Sequence, residues 1–297
     1  MREIRIGTRG SVLAVAQAKI IADKIAGTWP GVRIEIVKIT TSGDRNMSPF
    51  SSDPAGIKGM FTLELERALI DGKIDVAVHS LKDLPANMNP ELVIGAYSRR
   101  GDPRDVLVAR GEGLGVSKGL GVSGMPRVIG SSSLRRRLQL ARLFPESEIV
   151  PVRGNVTTRL RNLDDGEVTG LVLAAAGLER IGLSGRIARV FGVDEVMPAP
   201  GQGILACQVR RNGDYGYLEC VDDPDSRDCG RAERSFAREL GAGCNVPVGA
   251  YAEVDGERLR LRGLYVDDKG RFLRGEVLGV REKAEELGKK LAEVIMA

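Results

Sequence analysis

Apolar residues along this chain recur in two rhythms, as short clustered runs and as longer stretches repeating every three or four positions. Glu3 to Gly7, Arg33 to Thr40, Asp75 to His79 and Leu92 to Ala96 read as strands. Val12 to Ala26 reads as a helix with Leu13, Ala16, Ile20 and the stem of Lys24 along one face, and Phe61 to Ile70 as another. Between them lies a loop rich in glycine, serine and proline, Thr41 to Gly59. A second series opens near Arg104. Its strands are predicted at Val106 to Ala109, Val128 to Gly130, Ile149 to Val152 and Gly170 to Ala174, and its helices at Ser132 to Leu143, Val156 to Leu163 and Ala175 to Ile181. Such alternation predicts two α/β lobes with parallel or mixed sheets.

After Gly203 the rhythm changes. Ile204 to Arg210 reads as a strand and Ser226 to Leu240 as a helix. Strands at Val246 to Val254, Arg258 to Val266 and Arg271 to Val280 then precede a closing helix, Glu282 to Met296. This block predicts a small α+β domain.

A chain of 297 residues is long enough for two or three domains. Aromatic residues make up only 4%, so the core must be built from Val, Ile, Leu and Ala, which suits strands covered by helices. The net charge of +4 does not indicate nucleic acid, but its distribution is uneven. From Gly113 to Pro145 there is no acidic residue, while Lys118, Arg127, Arg135, Arg136, Arg137 and Arg142 are present. That field suits an anionic partner. Cys207, Cys220, Cys229 and Cys244 form no C-x-x-C pair and His79 is the single histidine, so neither a zinc site nor a disulfide framework is expected. The charged N-terminus enters a strand at once, unlike a signal peptide. Leu171 to Leu178, the longest uncharged apolar run, is far shorter than the ~20 residues of a membrane span. A cytoplasmic protein is expected.

Three strand-to-helix junctions share one chemistry. Gly7-Thr8-Arg9-Gly10-Ser11, Gly130-Ser131-Ser132-Ser133-Leu134-Arg135-Arg136 and Arg153-Gly154-Asn155-Val156-Thr157-Thr158-Arg159 each combine a capping side chain with arginine. Arginine in a first helical turn opposes the helix dipole by a few tenths to about 1 kcal/mol. Its repetition implies an anion held at the helix starts, where a guanidinium fork matches a carboxylate. Lys82 and Asp83 follow an apolar strand, and Pro85 stops a helix there, which puts Asp83 on a turn toward the same crevice. Lys58 and Phe61 close a loop that can act as a lid. His79 reads as a core residue at a strand end. Cys244 lies between small residues in Gly241-Ala242-Gly243-Cys244-Asn245, where its sulfur is either accessible or simply buried.

In order along nearly the whole chain, GTRGSVLA, GIKGMFTLELE, VHSLKDLP, GSSSLRR, RGNVTTRL, LAAAGLERIGL, PGQGILA and GAGCNVPVGAYAE resemble the porphobilinogen deaminase family. The resemblance implies two periplasmic-binding-protein-like α/β lobes plus a small C-terminal α+β domain with a three-stranded sheet. The implied domains are 1–99 plus 200–216, 104–195 and 217–297. The implied reaction joins four porphobilinogen molecules head to tail, with loss of ammonia, into hydroxymethylbilane. A dipyrromethane cofactor, held as a thioether by Cys244, primes it. Cofactor contacts are implied for Lys82, Asp83, Ser132, Ser133, Arg135, Arg136 and Arg159, and substrate contacts for Arg9, Ser11, Gln17, Lys58, Phe61, Arg153, Arg159, Arg180 and Gln202. Asp83 is implied as the catalytic carboxylate, stabilising cationic pyrrole stages and assisting proton transfer. A monomer acting on porphobilinogen, with no metal, nucleic acid or membrane partner, is expected. Val12 in place of a proline, Gly10 in place of a larger polar residue, and Ile57 in a glycine pair depart from the family pattern.

Two other readings use the same residues. A non-catalytic two-lobed anion-binding protein would share the scaffold. An RNA-binding protein would use Arg135 to Arg137, but would need interleaved aromatics, and that segment offers only Phe144.

Overall fold

A computed structural model describes residues 3–40, 56–109, 126–241 and 246–297, with the side chains of 56–61 excepted. Cys244, Lys118 and most of the Thr41 to Gly59 loop lie outside the described residues.

The first lobe opens with β1 (Glu3–Arg9), α1 (Val12–Thr28), β2 (Arg33–Ile39), α2 (Gly56–Ile70), β3 (Val76–Ser80) and β4 (Leu92–Tyr97). The second comprises β5 (Asp105–Ala109), β6 (Val128–Gly130), α3 (Leu134–Leu143), β7 (Glu148–Val150), α4 (Val156–Asp164), β8 (Gly170–Ala174), α5 (Ala175–Arg180) and β9 (Ile187–Val190). The chain then returns as β10 (Leu205–Arg210) and continues into α6 (Pro224–Glu239), β11 (Val248–Asp255), β12 (Arg258–Val266), β13 (Phe272–Val280) and α7 (Ala284–Met296).

The two large sheets follow one plan. Their strand orders are β2-β1-β3-β10-β4 and β7-β6-β8-β5-β9. In each, the fourth strand is the one that has just crossed from the other lobe, and it runs antiparallel to both neighbours. Helices cover these sheets because the strands are apolar on both faces, as the fully buried Val76, Ala77 and Val78 illustrate. The third sheet, β11-β12-β13, is antiparallel and packs one face on α6 and α7. Gly288 lets these two helices meet, since a Cβ there would lie 2.5 Å from the Ala232 carbonyl oxygen.

The two crossings, 98–104 and 191–204, run side by side. Gly101 N donates to Gly203 O at 3.1 Å. Gly203 adopts φ +93°, and a side chain there would collide with the Gly101 carbonyl. The C-terminal block docks on both lobes. Asp222 Oδ1 accepts from Tyr97 N at 2.9 Å, and Arg262 pairs with Asp194 at 2.8 Å.

Three expectations need correction. The buried face of α1 is Gln17, Ala18, Ile21, Ala22 and Ile25, not the stripe through Ile20 and Lys24, both of which are exposed. Apolar residues at both 20 and 21 leave the phase ambiguous until the sheet selects one side. α2 starts at Gly56 rather than Phe61. β9 was not foreseen, because a run as short as Ile187–Val190 has no readable period.

Candidate active site

The three expected caps all form. Ser11 Oγ accepts from Ala14 N at 3.2 Å, Ser133 Oγ from Arg136 N at 3.5 Å, and Asn155 Oδ1 from Thr158 N at 2.9 Å. These helix starts follow the C-terminal ends of β1, β6 and β7, the side of an open sheet on which ligands usually bind. Arg9 ends β1 half-buried, and Ser132 and Arg153 are exposed. Arg159 Nε donates to Gly154 O at 2.7 Å. Gln17 is buried and donates to Ser80 Oγ at 2.9 Å, which ties α1 to the end of β3.

Immediately after β3, Leu81–Asp83 forms one 3-10 turn. Leu81 is fully buried and its N–H donates to Ile204 O at 2.9 Å, so the turn is anchored at its first residue. Asp83 points outward and is exposed. Lys82 is half-buried and donates from Nζ to Gln202 Oε1 at 3.2 Å.

The electrostatics show how these groups meet across the lobes. Burial pushes Lys82 down to about 8; Arg136 pushes the same way, while Asp83 and Asp105 oppose it. Burial and then Arg136 push Arg159 down to about 10, again against Asp83. Lys82 and Asp83 of the first lobe therefore share one field with Arg136 and Arg159 of the second. Burial accounts for most of the weakened hold of Arg159 on its proton, and the neighbouring guanidinium of Arg136 adds to it. Arg180 is also pushed to about 10, chiefly by burial, and donates to Gly203 O at 2.5 Å, so it sits at the crossing. His79 is buried and held at about 4 by desolvation, hence neutral at physiological pH.

Arg135 and Arg136 occupy a different setting from the open one expected of anion-binding arginines. Both are buried beside Asp105, whose carboxylate accepts from Arg135 Nη2 at 2.8 Å and Arg136 Nη2 at 2.7 Å. Arg135 also donates to the Met197 carbonyl, and Arg136 to Val172 O at 3.2 Å. Gln202, fully buried, donates to Asp105 Oδ1 at 2.7 Å and Pro103 O at 2.6 Å. Its Oε1 accepts from Lys82, and from Arg136 at 3.4 Å. One amide thus joins Lys82 of the first lobe to Asp105 and Arg136 of the second. Burial alone would raise the Asp105 pKa, but the two guanidiniums outweigh it and hold the carboxyl well below its ordinary range.

Sequence reasoning missed Asp105. The available signal was a lone acid opening the apolar run Asp-Val-Leu-Val. It also missed Glu233, a fully buried carboxylate on α6. Glu233 accepts from Arg100 Nη1 at 2.6 Å, Gly201 N at 2.6 Å and Ala252 N at 2.7 Å, gripping both crossings and β11. Cys207 and Cys229 are buried, with thiols pushed up to about 12 mainly by desolvation, and are unsuited to act as nucleophiles. Lys58 and Phe61 lie in the first turns of α2, where side chains are not described.

Where the lobes meet, Lys82 and Arg159 share the field of one exposed carboxylate, Asp83, with the buried Arg136 adding positive charge behind them. Asp105 is already occupied from within. Such a place can neutralise several carboxylates while one acid remains to meet a developing cation.

Residues 4–216 match the family model for the porphobilinogen deaminase dipyrromethane cofactor binding domain, and residues 228–297 that for the porphobilinogen deaminase C-terminal domain. A porphobilinogen deaminase of Acetivibrio thermocellus is 44% identical over 98% of this chain and 97% of its own length. Those of Ruminiclostridium josui and Thermus thermophilus are each 42% identical, covering 99% and 100% of this chain and 97% and 96% of their own. Among solved structures, the periplasmic VFT2 domain of Bordetella pertussis BvgS aligns with 74% of this chain and 84% of its own. Its TM-score of 0.41 and 15% identity are too low to bear on function. The near-complete matches support the transferase reading over a non-catalytic anion-binding protein.

Proposed function

The chain belongs to the porphobilinogen deaminase family, and from that premise we propose how its own residues divide the work of the reaction. It is a transferase of tetrapyrrole biosynthesis. It condenses four porphobilinogen molecules head to tail, with release of ammonia, into the linear tetrapyrrole hydroxymethylbilane. Its dipyrromethane cofactor supplies, when bound, the terminal pyrrole carbon from which the chain grows.

Every pyrrole unit carries two carboxylates, so the site must accept accumulating negative charge. Lys82 and Arg159 fit that load, because burial and repulsion from Arg136 already weaken their protonated forms and a bound anion would offset both. Ser132, Ser133 and Arg135 belong to the same cofactor-binding end of α3. Arg9, Ser11, Gln17, Lys58, Phe61, Arg153, Arg180 and Gln202 are assigned to substrate. Arg180 and Gln202 act from the crossing, where they also report lobe position. Asp83 is the catalytic carboxylate. It holds the pyrrole N–H groups, stabilises positive charge as ammonia leaves, and receives the proton lost when the new carbon–carbon bond forms. Cys244 is the attachment point, with the other three cysteines structural. The domains are 1–99 plus 200–216, 104–195 and 217–297, and the protein acts as a cytoplasmic monomer without nucleic acid or membrane partners.

The observation that carries these assignments is the shared field of Lys82, Arg136 and Arg159 around Asp83. Intact mass tests the tether: the native protein should exceed its sequence mass by one dipyrromethane, and Cys244→Ser should not. Asp83→Asn should still acquire cofactor yet lose turnover by about a hundredfold or more, within the range of acid–base catalysis. Native turnover in Asp83→Asn would remove it from the mechanism.

A further inference from the structure

α6 presents two consecutive charged residues to two different parts of the molecule. Glu233 grips the crossings. Arg234, one position on, turns to the segment that carries Asp83. Its Nη2 donates to Pro85 O at 2.8 Å and its Nη1 to Leu84 O at 3.3 Å. One helical turn earlier, Gly230 leaves room for Leu81, whose Cδ2 would lie 2.8 Å from a Cβ at that position. The same face of α6 therefore seats both ends of the Leu81 to Pro85 segment, with Asp83 between them.

The chemistry of this contact is unlike that of a stabilising ion pair. Among the described residues no carboxylate is paired with Arg234. Burial lowers its pKa, and Arg238 adds to the effect. A half-buried cation spent on two neutral carbonyls fixes the geometry of the chain bearing them, because a planar fork orients both at once. The Leu84 side chain is buried with Leu81, Tyr97, Ile204 and Ala206, which anchors the body of the turn but leaves the orientation of its last carbonyls to hydrogen bonds. Beyond the 3-10 hydrogen bond from Leu84 N to Leu81 O, proline at 85 has no N–H to offer.

We propose that Arg234 is a positioning residue for the reaction, clamping the Leu84 and Pro85 carbonyls so that Asp83 is held at a constant place and angle. The proposal rests on the reading of Asp83 as the catalytic carboxylate. It also gives α6 a double role: the helix ends at Glu239, shortly before Cys244, so one rigid element spaces the catalytic turn from the start of the tether segment. A side chain freed by as little as ~1 Å at a catalytic position can lose up to about a hundredfold in rate.

The test uses cofactor-loaded protein. Native protein must first be shown to consume porphobilinogen; if it does not, the functional reading fails in the native protein itself, independently of Arg234. Arg234→Gln, Arg234→Lys and the control Arg231→Gln are then compared by intact mass, kcat and KM. Arg231 is exposed and pairs with Glu285 at 3.2 Å, so its loss should change kcat by less than about twofold. Arg234→Gln should retain the cofactor and a near-native KM while kcat falls between about ten- and a hundredfold. Arg234→Lys, which can reach one carbonyl at a time, should lie between Gln and native. If the Gln variant does not fold, the Lys variant carries the test by the same split of kcat from KM. The proposal is overturned by native kcat in the loaded variant. It is equally overturned by a raised KM with unchanged kcat, or by missing cofactor, since those would make Arg234 a binding or attachment residue instead.

Discussion

Replacing Asp105 by Asn removes one charge from the most enclosed ionic cluster described and changes almost nothing in volume. Asp105 is fully buried, and Arg135 and Arg136, 5% and 6% exposed, each donate to it at 2.8 Å or less. Without the carboxylate, two buried guanidiniums face an amide whose NH2 group repels one of them. Removing one member of a buried pair typically costs about 3–5 kcal/mol, because the remaining charge stays desolvated. At about 2–4 °C per kcal/mol for a chain of this class, the melting temperature should fall by about 6–20 °C. The pH dependence has a definite sign. The Asp105 pKa is depressed in the folded state, so its contribution is complete above the ordinary carboxylate value near ~3.9 and is lost as pH falls through the lower folded value. The gap between native and variant should therefore be constant from neutral pH down to about 5 and close only in acid. Thermal and urea unfolding followed by circular dichroism, at several pH values, measure it. Asp102→Asn is the comparison: Asp102 pairs at 2.6 Å with Arg104, whose side chain is 46% exposed, and should cost less than about 1 kcal/mol. An Asp105→Asn variant as mildly affected as Asp102→Asn would refute the reasoning.

Other outcomes follow from the same electrostatics and packing. Lys82, held at about 8, is charged below that pH and neutral above it, so kcat/KM should decline above about pH 8. Lys82→Arg should remove that decline, and a native profile flat to pH 9.5 would contradict the assignment. His79, at about 4, takes up its proton later in the folded than in the unfolded state, so stability should drop as pH falls from about 6.5 to 4. His79→Phe should flatten that slope in a melting series. Gly288→Ala forces a methyl against the Ala232 carbonyl and should cost about 1–3 kcal/mol in urea unfolding, with kcat unchanged.

Much of the fold was legible because it depends on local rules. The bounds of β6, β8 and β12 were read correctly, and Ser11, Ser133 and Asn155 cap the helices they were expected to cap. The phase of α1 was not legible, since its apolar residues occupy more than one face. Of the candidate site, Lys82, Asp83, Arg136 and Arg159 were legible from their motifs. Their setting was not. Nothing around Arg135 and Arg136 in the chain announces a partner 30 residues earlier at Asp105, nor does Arg234 announce a grip on carbonyls 149 and 150 residues away.

The order of amino acids by itself determined the family, the alternation of strands and helices, the caps and the stock of cations offered at the helix starts. Each of these depends on neighbours within a few residues or on motifs read in series. Only the tertiary structure decided which cations are neutralised from within, as Arg135 and Arg136 are by Asp105. It also decided which acid faces outward. Charge is cheap to place along a chain but costly to bury, so its final role depends on partners that folding brings from distant segments.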